Sequence, residues 1–414
     1  MRVLLIGSGG REDALATALK RDSNVTELHA APGNPGIAKS ATIHLIDTTD
    51  NNAVIDLAKK LNIDLVVIGP EAPLVNGLAD ACTVANIACF GPSKAAAQLE
   101  GSKDFAKKIM ADANVPTSQS FTCTNKEEIE RALDTFGPPF VVKHDGLAAG
   151  KGVVVTDDRS EALAHALLSP RVVIEEFLDG PEISLFGISD GTHILPMQPA
   201  QDFKRAYDGD KGLNTGGMGA YSPLPWAPED IEEEVLKKVL QPTVDAMAKR
   251  GTPFVGLLYA GLAMTSKGMR VIEFNARFGD PETEVLIPRL KTPLGQLLYA
   301  AATKKLNQYK SLDWSDDCAV TVVLASEGYP SDPKINLPIT GLNPIANTYI
   351  YHAGTKLVDG VLTSSGGRVL TVTGMGTTLT EARNNAYQVI SGITLAGSHY
   401  RSDIALTASQ LGKS

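Results

Sequence analysis

The stretch that most constrains this chain is residues 140–155, which read FVVKHDGLAAGKGVVV. Two runs of β-branched residues enclose a glycine-rich, basic turn that carries Lys143 and Lys151, which predicts a β-hairpin. Gly150 and Gly152 let backbone N–H groups approach phosphate oxygens, and the lysines supply positive charge. The segment is not a P-loop, because that motif needs G-x-x-x-x-G-K-[ST] between a strand and a helix. We therefore predict a hairpin that covers the polyphosphate of a nucleotide, with an ordinary glycine hairpin as the alternative.

Residues 1–98 alternate apolar strands with helical stretches, which predicts a doubly wound parallel sheet. Ligands of such sheets bind beyond the carboxyl ends of the strands, where this chain places turns rich in Gly and Pro. The first turn, GSGG (7–10), is not a dinucleotide fingerprint, because Glu12 stands where the third glycine belongs and the second strand ends without a carboxylate. It remains compatible with a phosphate at a helix N-terminus. The predicted strands are VLLIG (3–7), ELHAA (27–31), TIHLID (42–47), DLVVIG (64–69) and IACFG (87–91).

From about residue 99 the strands become paired instead of alternating with helices. We expect residues 139–143 to pair with 152–156, and residues 171–178 with 182–189, in a small α+β subdomain inserted in a larger one. Further predicted elements are helices at 158–168, 229–250 and 379–391 and buried strands at 254–264 and 269–275.

The run VIEFNARFGDPETE (271–284) carries a candidate metal site. Alternate residues of a strand share a face, so Glu273 and Asn275 point the same way. Two neighbouring oxygen donors suit Mg²⁺, which usually takes one or two protein ligands and completes its shell with phosphate oxygens and water. Arg277 follows directly and is placed to hold a phosphate or a carboxylate. A solvated charged turn is the alternative, disfavoured because buried polar groups in an apolar strand need partners.

Three weaker features point to the same chemistry. RVVIEEFLDGPEIS (171–184) offers backbone groups for adenine and a carboxylate for ribose, with an amphipathic edge strand as the alternative. In residues 200–223, Asp202 and Lys204 precede the glycine-rich NTGGMGA, which predicts a loop that closes on an anion, or else a flexible surface loop. Lys103 lies in the first turn of a predicted helix, where it opposes the helix dipole unless it binds an anion.

Composition narrows the class of partner. The net charge of −9, from 38 basic and 47 acidic residues, argues against broad binding to nucleic acid or an anionic membrane. The four cysteines are scattered without zinc-site spacing, and no apolar run is long enough for a signal peptide or a membrane span. We expect a cytoplasmic monomer that binds small molecules and neither nucleic acid nor membrane.

Taken together, these motifs resemble the phosphoribosylamine–glycine ligase (glycinamide ribonucleotide synthetase) family of the ATP-grasp superfamily. The resemblance implies an N-terminal α/β domain (1–99), an ATP-grasp core (100–311) with a hinged lid (about 119–180), and a β-rich C-terminal domain (312–414). The matching runs include GSGGRE, APGNPG, GPEAPLVNGLAD, GPSKAAAQLEGSK, VVKHDGLAAGKGV, VIEEFLDGPE, NTGGMGAYSP, VIEFNARFGDPET, HAGTK and SSGGRVLTVTG.

The family reaction, as the resemblance implies it, is a two-step ligation in purine biosynthesis. The glycine carboxylate attacks the γ-phosphate of ATP to give glycyl phosphate and ADP, and the amine of 5-phosphoribosylamine then displaces phosphate. Phosphoryl transfer depends on positioning and charge neutralisation, which lysines, an arginine and a metal pair supply.

The resemblance also implies roles for individual residues. Mg²⁺ or Mn²⁺ is expected on Glu273 and Asn275, and the catalytic set is Arg277, Lys204 and Asp202. ATP is expected on Lys103, Lys143, Gly150, Lys151, Gly152, Glu175, Phe177, Leu178 and Glu182, with the two lysines Lys103 and Lys143 on its phosphates. The other substrates are expected on Gly9, Gly10, Pro70, Glu71, Asn214, Thr215, Gly216, Asp280, Pro281 and Glu282.

The chain departs from the family pattern in three places. Asp13 replaces the histidine of GREHAL, His144 replaces the alanine of KADG and receives no role, and the loop before Arg171 is shortened. Since none of these removes the metal pair or the phosphate lysines, we expect an active enzyme. The alternatives are another ATP-grasp ligase such as a biotin-type carboxylase, a nucleotide-binding regulatory protein without catalysis and, least favoured, a dehydrogenase.

Overall fold

The first part of the chain is the predicted doubly wound domain. The computed structural model describes residues 1–147 and 152–411. The N-terminal sheet is parallel, in the order β3-β2-β1-β4-β5. Its strands are apolar because helices cover both faces. The predicted strand 42–47 is shorter than expected: it ends at Ile43, and Leu45 beyond it is 88% exposed. The elements are β1 (Arg2–Gly7), α1 (Gly10–Arg21), β2 (Glu27–Pro32), β3 (Thr42–Ile43), α2 (Asn51–Lys60), β4 (Leu65–Ile68), α3 (Glu71–Val75), α4 (Leu78–Val84) and β5 (Ala88–Phe90).

A small antiparallel sheet with its own core follows, in the order β6-β9-β7-β8. Two helices cover one face of it, around Leu133, Val142 and Ile174. The elements are α5 (Gln98–Gly101), α6 (Lys103–Asp112), β6 (Ser120–Cys123), α7 (Lys126–Phe136), β7 (Phe140–His144), β8 (Val153–Thr156), α8 (Arg159–Ala166) and β9 (Val172–Glu175).

The strand pairing of this small sheet corrects one prediction. The hairpin of β7 and β8 is confirmed, with Lys143 opposite Val153. The predicted pairing of 171–178 with 182–189 is wrong, because β9 lies between β6 and β7. The apolar residues of β9 are fully buried and therefore require a neighbour on each side, which a hairpin with the next strand alone does not supply.

The central sheet is antiparallel, in the order β11-β10-β16-β17. The predicted strands 254–264 and 269–275 are confirmed as a hairpin, and the predicted helix 229–250 is present with a π-helical turn at Leu236–Leu240. Helix α12 packs against both β5 and β10, so it joins the central sheet to the N-terminal one. The elements are β10 (Glu182–Asp190), β11 (Ile194–Pro196), β12 (Gln201–Asp202), β13 (Arg205–Tyr207), β14 (Lys211–Asn214), β15 (Gly219–Ser222), α9 (Ile231–Val235), α10 (Gln241–Lys249), β16 (Val255–Thr265), β17 (Gly268–Asn275), α11 (Thr283–Arg289) and α12 (Leu294–Ala302).

The C-terminal sheet takes in strands from the middle of the chain. Its order is β12-β15-β18-β22-β19, so the loop between β12 and β15 is anchored at both ends on this sheet. No helix in residues 1–147 or 152–411 combines the length and apolarity that crossing a membrane requires. The elements are β18 (Cys318–Ala325), β19 (Thr348–His352), β20 (Thr355–Val358), β21 (Val361–Ser364), β22 (Arg368–Gly376), α13 (Leu379–Ile390) and α14 (Leu406–Gln410).

Candidate active site

Strand β17 presents the candidate metal ligands on one face. Asn275 Nδ2 lies 3.5 Å from Glu273 Oε1, and Lys103 Nζ lies 3.6 Å from Glu273 Oε2. Burial by itself would raise the pKa of Glu273, but Lys103, Lys204 and Lys143 outweigh it and lower the pKa to about 2. The described residues hold no group of three or more His, Cys, Asp or Glu side chains suited to a metal. The amide nitrogen of Asn275 faces Glu273, while Asn275 Oδ1 accepts from Arg277 at 3.4 Å. One ionised carboxylate and one amide fit Mg²⁺ that draws its other ligands from phosphate and water, once the amide turns its oxygen towards the ion.

Lys143 is held in place by two strands, its neighbour β9 and the strand β17 of the central sheet. Its side chain is 4% exposed, and Nζ lies 3.0 Å from both the Ile272 carbonyl oxygen and Glu175 Oε2. Glu175 also accepts a hydrogen bond of 2.7 Å from Ser118 Oγ. Burial would raise the pKa of Glu175, but Lys143 and Lys107 outweigh it and lower the pKa. The Glu175 carboxylate therefore orients Lys143.

Lys107 is a site residue that the sequence reasoning missed. Its Nζ lies 3.4 Å from Glu175 Oε2 and 2.9 Å from Thr117 Oγ1. Burial lowers the pKa of Lys107 to about 8, although Glu175 acts in the opposite direction. The available signal was its spacing: Lys107 lies one helical turn beyond Lys103, on the same side of α6.

The other candidate ATP residues lie around the link between the small and central sheets. Phe177 is 48% exposed in that link, and Leu178 is half-buried. Gly152 lies at the base of the β7–β8 hairpin, where its carbonyl accepts a 2.8 Å hydrogen bond from the His144 amide. Gly150 and Lys151 lie outside the described residues.

Lys204 joins the start of β10 to the glycine-rich NTGG segment. Its ammonium donates to the carboxylate of Glu182, which opens β10. Burial would lower the pKa of Lys204, but Asp202, Glu182 and Glu273 outweigh it, so the ammonium stays charged. Burial raises the pKa of Asp202 to about 7, in spite of Lys204. The amide and hydroxyl of Thr215 each donate to the Lys204 carbonyl at 2.8 Å, so the NTGG segment fixes the backbone of Lys204.

Arg277 connects the end of β17, the strand that carries the candidate metal ligands, to the N-terminal domain. Its guanidinium lies 3.6 Å from Glu71 Oε2 and 3.3 Å from Glu100 Oε1, and it donates to Asn275 Oδ1 at 3.4 Å. Burial would raise the pKa of Glu71, but Arg277 and Arg11 outweigh it and lower the pKa. Pro70 caps the short helix that carries Glu71. The structure thus places Pro70 and Glu71 beside Arg277, although these predicted site residues are far apart in the chain.

Arg368, also missed by the sequence reasoning, fastens two predicted substrate segments to each other. Its Nη1 lies 3.0 Å from Asp280 Oδ1 and donates to the carbonyls of Gly216, at 2.7 Å, and Asp280, at 2.8 Å. Gly217 follows with a φ of +114° and packs against Pro281, which leaves no room for a side chain. The loop of Asn214, Thr215 and Gly216 is therefore adjacent to Asp280 and Pro281.

The glycines of the first turn make room for Glu12. The Gly9 amide donates to Glu12 Oε2 at 2.6 Å, and Arg11 Nε lies 2.5 Å from Glu12 Oε1. Gly7 has a φ of +132°, and a Cβ there would lie 2.6 Å from Glu12 Cγ. Around Gly10, a Cβ would lie 2.6 Å from the buried Glu284 carboxylate. In this conformation the Gly9 amide is engaged with protein, and the role predicted for Gly9 and Gly10 stays a prediction.

Glu282 differs from the other predicted substrate residues because its carboxylate is engaged in the core. It is 3% exposed and accepts hydrogen bonds from Tyr259 Oη at 2.6 Å and Ser184 Oγ at 2.9 Å. These contacts tie the turn after β17 to the central sheet, beneath Asp280.

Comparison with known proteins agrees with this arrangement along nearly the whole chain. Family models described as phosphoribosylglycinamide synthetase match the N domain at residues 1–100, the ATP-grasp (A) domain at 101–283 and the C domain at 319–407. The phosphoribosylamine–glycine ligase of Streptomyces coelicolor is 60% identical over 413 residues, which are 99% of each chain.

Solved structures agree as well. The crystal structure of phosphoribosylamine–glycine ligase from Thermotoga maritima has a TM-score of 0.84 and 32% identity, covering 98% of this chain and 100% of that one. The biotin carboxylase domain of Hydrogenobacter thermophilus 2-oxoglutarate carboxylase, a dimer solved with MgADP and bicarbonate, has a TM-score of 0.74 at 15% identity, covering 96% and 91%. At that identity it shows the fold alone.

The fold and the lysine-lined cleft define the class as an ATP-grasp protein with flanking N- and C-terminal domains. Within that class, the chain belongs to the phosphoribosylglycinamide synthetase family. The predicted fold class and the family resemblance are both confirmed.

Proposed function

We propose that this chain ligates glycine to 5-phosphoribosylamine at the expense of ATP, through glycyl phosphate, giving glycinamide ribonucleotide, ADP and phosphate. It acts in purine biosynthesis as a carbon–nitrogen ligase. The observation that carries the proposal is the 60% identity to the Streptomyces coelicolor ligase over 99% of both chains. The geometry supports it, because residues from distant segments of the chain lie beside β17, the strand that carries Glu273 and Asn275.

Three lysines suit the phosphates of ATP. Lys103, Lys143 and Lys204 surround Glu273 closely enough to lower the pKa of its carboxyl to about 2. Charge neutralisation of this kind is the main demand of phosphoryl transfer. Mg²⁺, or Mn²⁺, would be held by Glu273 and Asn275 and would neutralise charge on the transferring phosphoryl group.

The remaining roles follow from position in the cleft. Arg277 adjoins Asn275 and is our candidate for binding the glycine carboxylate or the transferring phosphate. Asp202, whose pKa burial raises to about 7, is suited to accept the proton that the acceptor amine loses when the amide forms. The loop of Asn214, Thr215 and Gly216 and the turn of Asp280 and Pro281 line the side where the amine sugar would bind.

The deciding experiment measures ADP formation with each substrate omitted in turn. We expect ADP to require both glycine and the amine sugar, with glycinamide ribonucleotide as the product. ADP formation that requires bicarbonate instead would favour a carboxylase. Nucleotide binding without any turnover would favour a regulatory protein.

The expectation of a monomer remains a separate proposal. The biotin carboxylase relative named above was solved as a dimer, and its 15% identity carries no conclusion about assembly here. Sedimentation equilibrium of the full chain would establish the oligomeric state.

A further inference from the structure

Asp145 lies in the turn after β7, two residues beyond Lys143, and its side chain is 7% exposed. Its Oδ1 accepts hydrogen bonds from Ser102 Oγ at 3.0 Å and from the Asp104 amide at 3.3 Å. Its Oδ2 lies 3.4 Å from Arg171 Nε, and its own amide donates to the Arg171 carbonyl at 3.1 Å. Asp145, in the turn after β7, is therefore bound to the first residues of helix α6, which is not part of the small sheet.

The binding point on that helix is its N-terminus. Helix α6 begins at Lys103, and its cap residue Ser102 accepts from the Phe105 amide at 3.1 Å. The first N–H groups of a helix lack partners within the helix, and a carboxylate there is stabilised by the helix dipole. Asp145 thus supplies an acceptor from another part of the chain, directly beside Lys103.

Arg171 keeps this contact electrostatically favourable. Asp104 also lies here, where it receives 2.6 Å and 2.8 Å hydrogen bonds from Lys108 Nζ and Thr122 Oγ1. Two carboxylates in one corner would repel each other, but the Arg171 guanidinium lies 3.4 Å from Asp145 and 3.5 Å from Asp104. Arg171 directly precedes β9, the strand that ends at Glu175, the carboxylate that orients Lys143.

We propose that Asp145, supported by Arg171, is a positioning residue that sets the separation between Lys103 and Lys143. The two phosphate lysines come from different bodies, Lys103 from α6 and Lys143 from the small sheet. Asp145 joins them, since it lies in the turn two residues after Lys143 and binds the helix end that carries Lys103. The proposal rests on the proposed function only in taking ATP as the ligand.

The first test compares nucleotide affinity across variants of the full chain. Asp145→Ala should weaken ATP binding, measured by calorimetry, about 10-fold, since a small displacement of a positioning contact is costly. Binding of AMP and the KM for glycine should stay within twofold. Asp145→Asn keeps an acceptor for Ser102 and the Asp104 amide and should recover part of the loss. The matched control is Asp134→Ala, which removes a 65% exposed carboxylate on α7 that is paired with Arg159 of α8, on the helices that cover the same sheet.

A double-mutant cycle separates positioning from a general loss of stability. If Asp145 acts through Lys103, Asp145→Ala should cost much less ATP affinity in the Lys103→Ala background than in the native chain. Equal losses in both backgrounds, or equal weakening of AMP and ATP, would overturn the proposal. Because the readout is nucleotide binding, it stays decisive even if ligation of glycine is absent, in which case the proposed function fails separately.

Discussion

The two ends of the proposed cleft carry different cations: lysines lie at the end proposed for the nucleotide, and arginines at the end proposed for the acceptor. At the nucleotide end, Lys103 approaches Glu273 at 3.6 Å, beyond hydrogen-bond length. The acceptor end relies on arginines: Arg277 bridges Glu71 and Glu100, and Arg368 holds Asp280 and Gly216 together. A lysine is a flexible point charge, whereas a guanidinium binds several oxygens in a fixed fork.

This difference indicates how each end works. We expect the proposed acceptor end to need little rearrangement on binding, because its arginines already connect backbone carbonyls and carboxylates from all three parts of the chain. At the proposed nucleotide end, Lys103 makes no hydrogen bond to Glu273, whereas Lys143 is already held by the Ile272 carbonyl and Glu175. Substitutions at the two ends should therefore affect different substrates.

The largest effect is expected for Glu273→Ala, which removes the carboxylate at the centre of the nucleotide end. Metal-dependent ligation should fall by more than about 10-fold, a loss above ~1.4 kcal/mol in the activation barrier, with the fold intact by circular dichroism. Steady-state ADP release measures this, and Glu233→Ala, an exposed carboxylate on α9, serves as the control. Turnover above about a tenth of the native rate would contradict the metal assignment.

Arg277→Lys tests whether the acceptor end depends on the guanidinium fork. A lysine cannot span Glu71, Glu100 and Asn275 at once, so kcat/KM for glycine or the amine sugar should fall by roughly 10–100-fold. The Kd for ATP should remain within about twofold if the two ends are independent. A parallel loss of ATP affinity would show that they are coupled.

The raised pKa of Asp202 predicts that turnover depends on pH near neutrality, whereas the Lys204 ammonium stays charged there. Since burial raises the pKa of Asp202 to about 7, the carboxylate form that accepts a proton is lost below that pH. The value of kcat should therefore rise roughly 10-fold per pH unit below 7 and level off above it. Asp202→Asn should lower the plateau and remove the slope. An unchanged profile in that variant would assign the titration to another group.

The smallest effect on activity is expected at Asp13, whose ionisation should instead change the stability of the fold. Asp13 joins α1 to the C-terminal sheet by accepting from the His352 amide at 2.7 Å. Burial raises its pKa from 3.8 to about 7, so the native state favours the protonated form. Stability should therefore decline as pH rises from about 4 to 7, by at most ~1.4 kcal/mol per unit. Asp13→Asn should gain stability relative to the native chain between pH 5 and 8, as urea unfolding would measure. A difference that does not vary with pH would exclude ionisation of Asp13 as the cause.

At each of the three departures from the family pattern, the structure shows a contact with a residue that is distant in the sequence. Asp13 meets His352 of the C-terminal sheet, and Arg171 meets Asp145. His144, to which the sequence assigned no role, stacks on His165 of α8 at 4.2 Å between ring centroids and contacts its carbonyl at 2.9 Å. His165 in turn contacts the Gly152 carbonyl at 3.2 Å, so the pair supports the base of the hairpin.

The sequence by itself determined the parallel N-terminal sheet, the β7–β8 hairpin, the buried strands β16 and β17 and the shared face of Glu273 and Asn275. Each of these depends on patterns within a few residues: alternation, apolar runs and glycine turns.

Only the tertiary structure decided the neighbours of β9, the partners of Arg277 and the positions of Lys107, Arg368 and Asp145 beside the candidate site residues. These depend on contacts between residues far apart in the chain, such as Arg368 with Gly216. A local pattern states which residue needs a partner, because buried charge is costly, but it does not state which distant segment supplies that partner.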